Sequence, residues 1–370
     1  MTRLALALLM LAATGCNTLP VGEDGLGRIP STDSLVVALD SSAGFIRYTP
    51  LGAADTMLLG RDDQYVSRAL IKFALPDTSF DSLTQAQLIL YPTDSTRMAF
   101  VAHPCSVDWR ADAATWRIAD SSTHWLNPGG DYLTREACRG TFVAGESLVI
   151  ELDRSLMPVL LSESYGVILL PLDTGFVGLS SAFSSATAPR ILLYWGAEKK
   201  STRTITASED AHIIDTIAIR AGLGYQPVGS GLAFRTWLRF NLDSIPPEAT
   251  VARAEVRFTP AVEYHRSDTL PLGVRRLLEP PGSRGGNPNL ATGLSGRLDY
   301  VVGPDSTPEA VLDIHKLVQY WTAHPDSNFG LYLAAEPDWA QLFRFRVPAA
   351  GPGAPRLDVL YAMPPTGRFW

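Results

Sequence analysis

The chain has 370 residues, enough for two domains that each bury a core of ordinary size. Its 38 acidic and 31 basic residues leave a net charge of -7 at pH 7 with no block of Lys or Arg, which argues against nucleic acid as a partner. Charged residues are only 19% of the chain, with 30 glycines and 27 prolines, a turn-rich balance that suits an extracytoplasmic all-β protein better than a helical one.

At the N-terminus, Arg3 precedes LALALLMLAA, an apolar run of signal-peptide length that is too short to span a bilayer. It ends in Ala13-Thr14-Gly15-Cys16, which resembles a bacterial lipobox and implies a diacylglycerol on the Cys16 thiol. The alternative is an ordinary secretory leader with an unrelated cysteine. Asn17 after the cysteine favours the outer membrane, by resemblance to enteric sorting rules. Cys105 and Cys138 then remain as an even pair. In an oxidising envelope they are expected to form a disulfide closing a loop of about 33 residues, worth on the order of 3 kcal/mol; two buried thiols are the alternative.

Two strands joined by a polar corner occur twice. In the first copy Ile71, Phe73 and Leu75 point one way, a Pro/Asp/Ser turn follows, and Ala86, Leu88 and Leu90 resume the period of two. In the second, Leu238, Phe240 and Leu242 alternate with Arg239 and Asn241, and Asp243-Ser244-Ile245-Pro246-Pro247 stops the strand before Ala254, Val256 and Phe258. SYGVILL and APRILLYW of the first copy return as NFGLYL and APRLDVLY, and LVIELDRSLMPVLL as VLDIHKLVQYWTAH, whose Ile314, Leu317, Val318 and Trp321 have helical spacing. Blocks in the same order at a period of about 165 residues mark a duplication of whole domains, too long for a solenoid. The expected division is a leader (1–15), a tether (16–31), a first sandwich (32–196), a linker (197–203), a second sandwich (204–362) and a tail (363–370).

LLG, RALIKFAL, the tryptophans of DWRADAATW, SYGVILL and PRILLYW resemble the DNRLRE domain family, modules of bacterial surface and secreted proteins related to carbohydrate-binding module family 96. The second copy keeps RTWLRFNLDSIPP, LDIHKLVQYW, NFGLYL and PRLDVLY but has GSRGGNPNLATG where the Trp109…Thr115-Trp116 element would stand. The resemblance implies a jelly-roll β-sandwich for each copy and carries no catalytic residue. Many short alternating strands between Gly, Pro, Asp and Ser clusters agree with two all-β antiparallel sandwiches.

No motif for catalysis stands out. His103, His124, His212, His265, His315 and His324 show no metal-ligand spacing, there is no G-x-S-x-G, and Gly222-Leu223-Gly224 lacks the third glycine of a dinucleotide loop. The chain is read as a non-enzyme without a cofactor. Calcium at Asp62-Asp63 is conceivable, although a solvated turn accounts for that pair.

Binding is the remaining class. The resemblance implies that Trp109 and Trp116 pin a long loop rather than hold ligand, whereas Trp125, beside His124 and Asn127, is freer to meet a sugar ring. Lys72 and Arg239 occupy equivalent outward positions, as do Arg68 and Arg235; they suit uronate carboxylates, or simply keep the strands wet. The sequence therefore points to a lipid-anchored envelope protein with two sandwiches that bind an acidic polysaccharide or matrix glycan. The other reading is a structural or adhesive lipoprotein that binds an envelope protein.

Overall fold

The computed structural model describes residues 31–73, 80, 82–143, 145–162, 165–196, 201–217, 225–282, 288–303, 308–337 and 342–364. The leader with Cys16, the tether as far as residue 30, the 222–224 turn and residues 365–370 of the tail lie outside them.

The described chain forms two antiparallel β-sandwiches of jelly-roll type. It begins with a 16-residue strand, β1 (Thr32–Arg47). Then come β2 (Thr56–Arg61), β3 (Tyr65–Phe73), β4 (Leu83–Leu90), β5 (Met98–Pro104), β6 (Cys138–Phe142), β7 (Leu148–Glu151), the short helix α1 (Met157–Ser162), β8 (Val167–Pro171), β9 (Gly175–Ser180) and β10 (Arg190–Trp195). One sheet of this first sandwich runs β6–β5–β8–β3 with β2 and β9 continuing from β3, and the facing sheet runs β10–β4–β7. The period of two decides what each face does. Ala69, Ile71 and Phe73 of β3 enter the core with Leu88, Phe100, Leu169 and Ile191, while Arg68, Leu70 and Lys72 point away from it.

The second copy repeats the plan after another 16-residue strand, β11 (Ser201–Thr216). Its strands are β12 (Tyr225–Ser230), β13 (Ala233–Phe240), β14 (Thr250–Phe258), β15 (Ala261–His265), β16 (Thr269–Arg276), β17 (Gly296–Val301), β18 (Ala310–Asp313), β19 (Leu331–Ala335), β20 (Phe343–Pro348) and β21 (Arg356–Ala362), with α2 (His315–Ala323) after β18. Leu317, Val318 and Trp321 of α2 join Leu238, Phe240, Val256 and Leu357 in the core, as their helical spacing predicts.

The first strand of each copy belongs to the other sandwich. β1 pairs through Thr32–Ala38 with β21 and through Leu39–Arg47 with β13, so it bridges the two sheets of the second sandwich. β11 does the same in the first sandwich, pairing with β10 up to Thr206 and with β3 from Ala207. The match is close: Leu39 faces Phe240 as Ala207 faces Phe73, and each strand changes sheet at a bulge, at Asp40 and at Ser208. The expected boundaries of 32–196 and 204–362 therefore do not follow the sheets. Residues 201–206, partly assigned to the linker, are strand, and the chain crosses between sandwiches twice, between Arg47 and Thr56 and between Thr216 and Tyr225. Loop length is the physical reason. Trp195 and Ser201 pair across five intervening residues, and so short a closure favours a local hairpin over a longer excursion. β11 then occupies the place beside β10, and β1 fills the matching place beside β21.

The expected disulfide is absent. Both thiols are free and buried, because they lie on opposite faces of one sheet. Cys138 faces the core between the sheets, whereas Cys105 belongs to a cluster on the outer face with Leu70, Trp109 and Ile168. Burial pushes each thiol up to about 12.

The two sandwiches pack directly on each other. Leu51, Tyr65, Phe176 and Ile214 of the first meet Leu232, Phe234 and Leu342 of the second in a separate apolar cluster. Tyr264 Oη donates to Asp62 Oδ2 at 2.7 Å, and Arg344 Nη2 donates to Gln64 Oε1 at 2.7 Å. Asp62 Oδ1 accepts from the Gln64 and Tyr65 amides, so this carboxylate caps a turn and ties the sandwiches together. Among the described residues no group of three or more His, Cys, Asp or Glu side chains comes together to hold a metal ion.

Candidate functional site

Residues 105–137, between β5 and β6, fold over the outer face of the first sandwich. Trp109 is fully buried there and its indole N–H donates to Tyr165 O at 2.8 Å. Trp125, expected to be free, is 5% exposed and donates to Thr115 O at 2.8 Å, so it is part of the loop's own core. Asp131 holds the turn by accepting from the Leu126 and Asn127 amides. Gly129, at φ +97, is required where a β-carbon would strike the Trp116 ring and the Arg68 guanidinium.

This loop seals the basic row of the first sandwich. Lys72, 10% exposed in its side chain, lies over the Trp109 ring at 4.9 Å, donates to Trp109 O, and pairs with Asp108 Oδ1 at 2.7 Å. Arg68 lies over Trp116 at 4.8 Å and donates to Gly129 O at 2.7 Å. Neither side chain is available to a glycan. Their outward direction is as the strand alternation predicts, but outward here means under a loop.

In the equivalent row of the second sandwich, Arg235–Trp237–Arg239, Arg239 is exposed while Arg235 and Trp237 are half-buried. Arg239 is 48% exposed in its side chain and makes a long ion pair, 3.9 Å, to Asp40 at the bulge of β1. Trp237, where the first copy has Leu70, is half-buried and donates to Phe329 O at 2.7 Å. Arg235 lies 5.8 Å from the Tyr332 ring. Arg235 and Arg239 are four residues apart on one strand, about 13 Å.

A cavity opens at each end of this row. The larger, of 410 Å³, lies where β13 runs into the corner Asn241–Pro247 and is closed by α2 and the turn after it. Its apolar wall is Leu242, Ile245 and Trp321, and its polar rim is Arg239, Asp40 and Asp243. Asn328 Nδ2 donates to Phe240 O at 2.9 Å, but Asn328 Oδ1 and Trp321 Nε1 are buried without partners among the described residues. Such orphaned groups cost about 1–3 kcal/mol each and need an explanation. The smaller cavity, of 280 Å³, is lined by Arg235, Tyr332, Arg275 and Glu336, the last two joined at 3.0 Å. The large one falls within the roughly 300–1,000 Å³ usual for small-ligand pockets.

A carboxylate and a guanidinium above an apolar wall can hold hydroxyl pairs and the flat face of a sugar ring, and the guanidinium can take a carboxylate. Arg235 and Arg239 were legible from the repeat. Trp321 and Asn328 were not, since helical spacing and a glycine-containing strand block mark them as packing residues.

Two strongly shifted titratable groups lie elsewhere, side by side on β11. Burial raises Asp210 to about 6, opposed by the Ala182 amide that it accepts, and burial lowers His212 to about 4. Their effects on stability have opposite signs. Asp210 stabilises the fold in acid and loses that contribution as pH rises through about 6. His212 contributes fully above its unfolded value and loses its contribution as pH falls through about 4. Asp210→Asn should therefore expose the histidine's slope. Relative to the parent, which keeps the opposing Asp210 contribution, stability is expected to fall between pH 6.5 and 4 by up to about 3 kcal/mol, read from urea transitions across that range. An unchanged pH profile would refute this balance.

No family model matches the chain, and no curated protein matches it. Among solved structures, the N-terminal CBM22-1–CBM22-2 tandem domain of Paenibacillus barcinonensis Xyn10C is similar at 9% identity and a TM-score of 0.17, covering 88% of this chain and all of that one. A score that low carries no residue position from one chain to the other.

Proposed function

We propose that the second sandwich binds an acidic polysaccharide along Arg235–Trp237–Arg239, and that the first is a closed copy whose own loop occupies the corresponding face. The observation that carries this reading is the pair Lys72–Asp108. At the position equivalent to Arg239, the first copy already holds a carboxylate at 2.7 Å beside an aromatic ring. Arg239 keeps the charge, and Trp237 supplies a ring next to it on the strand. A polymer fits better than a single sugar because the two cavities lie at the two ends of the row. The DNRLRE-like repeat and the leader ending in Cys16 support the wider reading, a non-catalytic lipoprotein of the cell envelope. The strand exchange adds a geometric consequence: a tether from Cys16 would run straight into β1, and so into the binding sandwich.

Affinity electrophoresis through gels of alginate, pectate, xylan or no polymer tests it. Retardation is expected in the uronate gels and should weaken about tenfold or more on Arg239→Ala, as befits a charged hydrogen-bonded contact. Unchanged mobility in every gel would overturn the glycan reading and favour an envelope protein as partner.

A further inference from the structure

A cleft of 280 Å³ lies where the two sandwiches meet, away from the basic row. From the first sandwich, Thr93 and Asp94 line it beside Gly178 of β9, with His212 and Ile214 of β11; from the second come Arg266 and Ser267. Its walls are fixed before any ligand arrives. Asp94 accepts from the Gly178 amide at 2.8 Å and the Thr96 amide at 2.9 Å, and Gly178 has no side chain because a β-carbon would strike the Thr93 hydroxyl. Across the cleft, Arg266 lies 5.1 Å over the Phe176 ring and donates to Phe176 O at 3.3 Å.

His212 is the group that this packing does not explain. It is 4% exposed, lines the cleft, and leaves Nδ1 without a partner among the described residues. A buried ring nitrogen with no partner is costly, and no other group among the described residues satisfies it. Around it the polar groups balance. The Asp94 carboxylate offsets the Arg266 guanidinium, so neither a cation nor an anion is favoured. The Thr93 and Ser267 hydroxyls both donate and accept, as a ligand hydroxyl does. Ile214 and Leu342 supply an apolar wall.

We propose that this cleft is a second binding site, for a small neutral polyhydroxylated molecule the size of one sugar ring. It stands independently of the polymer row on the second sandwich. An occupant would touch both sandwiches at once and so stabilise their packing.

The test is a titration of the whole protein, labelled with ¹⁵N at histidine, with D-glucose, D-galactose, D-xylose and D-galacturonate in turn. A saturable shift of the His212 ring resonances with at least one neutral sugar is expected. Thr93→Val with Ser267→Ala should weaken it about tenfold or more through two lost hydrogen bonds, while Arg239→Ala leaves it unchanged. No saturable shift with any of the sugars would overturn the site. A response to galacturonate alone would overturn the neutral class. A shift of undiminished affinity in the Thr93→Val, Ser267→Ala protein would place the sugar elsewhere. Because Arg239→Ala is tested separately in the gels, failure of the polymer reading and failure of this one are distinguishable.

Discussion

Deleting residues 1–47 is expected to unfold the second sandwich and leave the first intact. In a simple tandem the reverse would hold, since β1 would then complete its own copy. Here β1 lies between β13 and β21 and packs Leu35, Val37 and Leu39 against the second core. Side chains of that kind contribute about 1.5–3 kcal/mol each when fully buried, so three partly buried ones still represent a large share of the roughly 5–15 kcal/mol that holds a domain together. The deletion also strips the pairing groups of two neighbouring strands at once. Hydrogen exchange resolved by segment is the measurement. Protection should persist across 56–216 and vanish across 225–362. Val37→Pro is the milder form: it removes an amide from a strand paired with β21 and should cost the second sandwich about 3 kcal/mol or more. Loss of protection in the first sandwich instead would show that the strands are not exchanged.

The exchange could not be read from the sequence, and the reason is physical. β1 and β11 are equivalent strands, and the two copies offer them equivalent places. Alternation tells which side chains face a core, as it does for Ala69, Ile71 and Phe73, but not which of two like cores receives the strand. The choice rests on the five residues between Trp195 and Ser201, whose shortness is plain in the sequence but whose effect depends on β10 having a free neighbouring place. The same limit applies to Cys105 and Cys138. Their spacing permits a disulfide loop, yet one follows β5 on the outer face and the other faces the core. It applies again to Lys72, whose outward direction was legible while the loop above it was not. The contrast between the copies was informative in advance: the Trp109…Trp116 element is present in one and missing in the other, and that difference separates the row under the loop from the one where Arg239 is exposed.

Trp109→Ala separates packing from binding on the sealed row. Trp109 is fully buried, its indole N–H is bonded to Tyr165 O at 2.8 Å, and its ring lies beneath Lys72. Replacing a buried tryptophan by alanine costs about 3–5 kcal/mol, and here it also removes the surface on which the 105–137 loop rests. At roughly 2–4 °C per kcal/mol for a unit of this size, the transition of the first sandwich should fall by roughly 6–20 °C. Retardation in uronate gels should not weaken, because Arg239 and Trp237 lie on the other sandwich, and loosening the loop can only expose Lys72 further. A ring that held glycan would behave oppositely, with little change in stability and a loss of retardation. That second pattern would return the binding face to the first sandwich, and with it the assignment of the loop as ligand-binding rather than as the occupant that keeps this face closed.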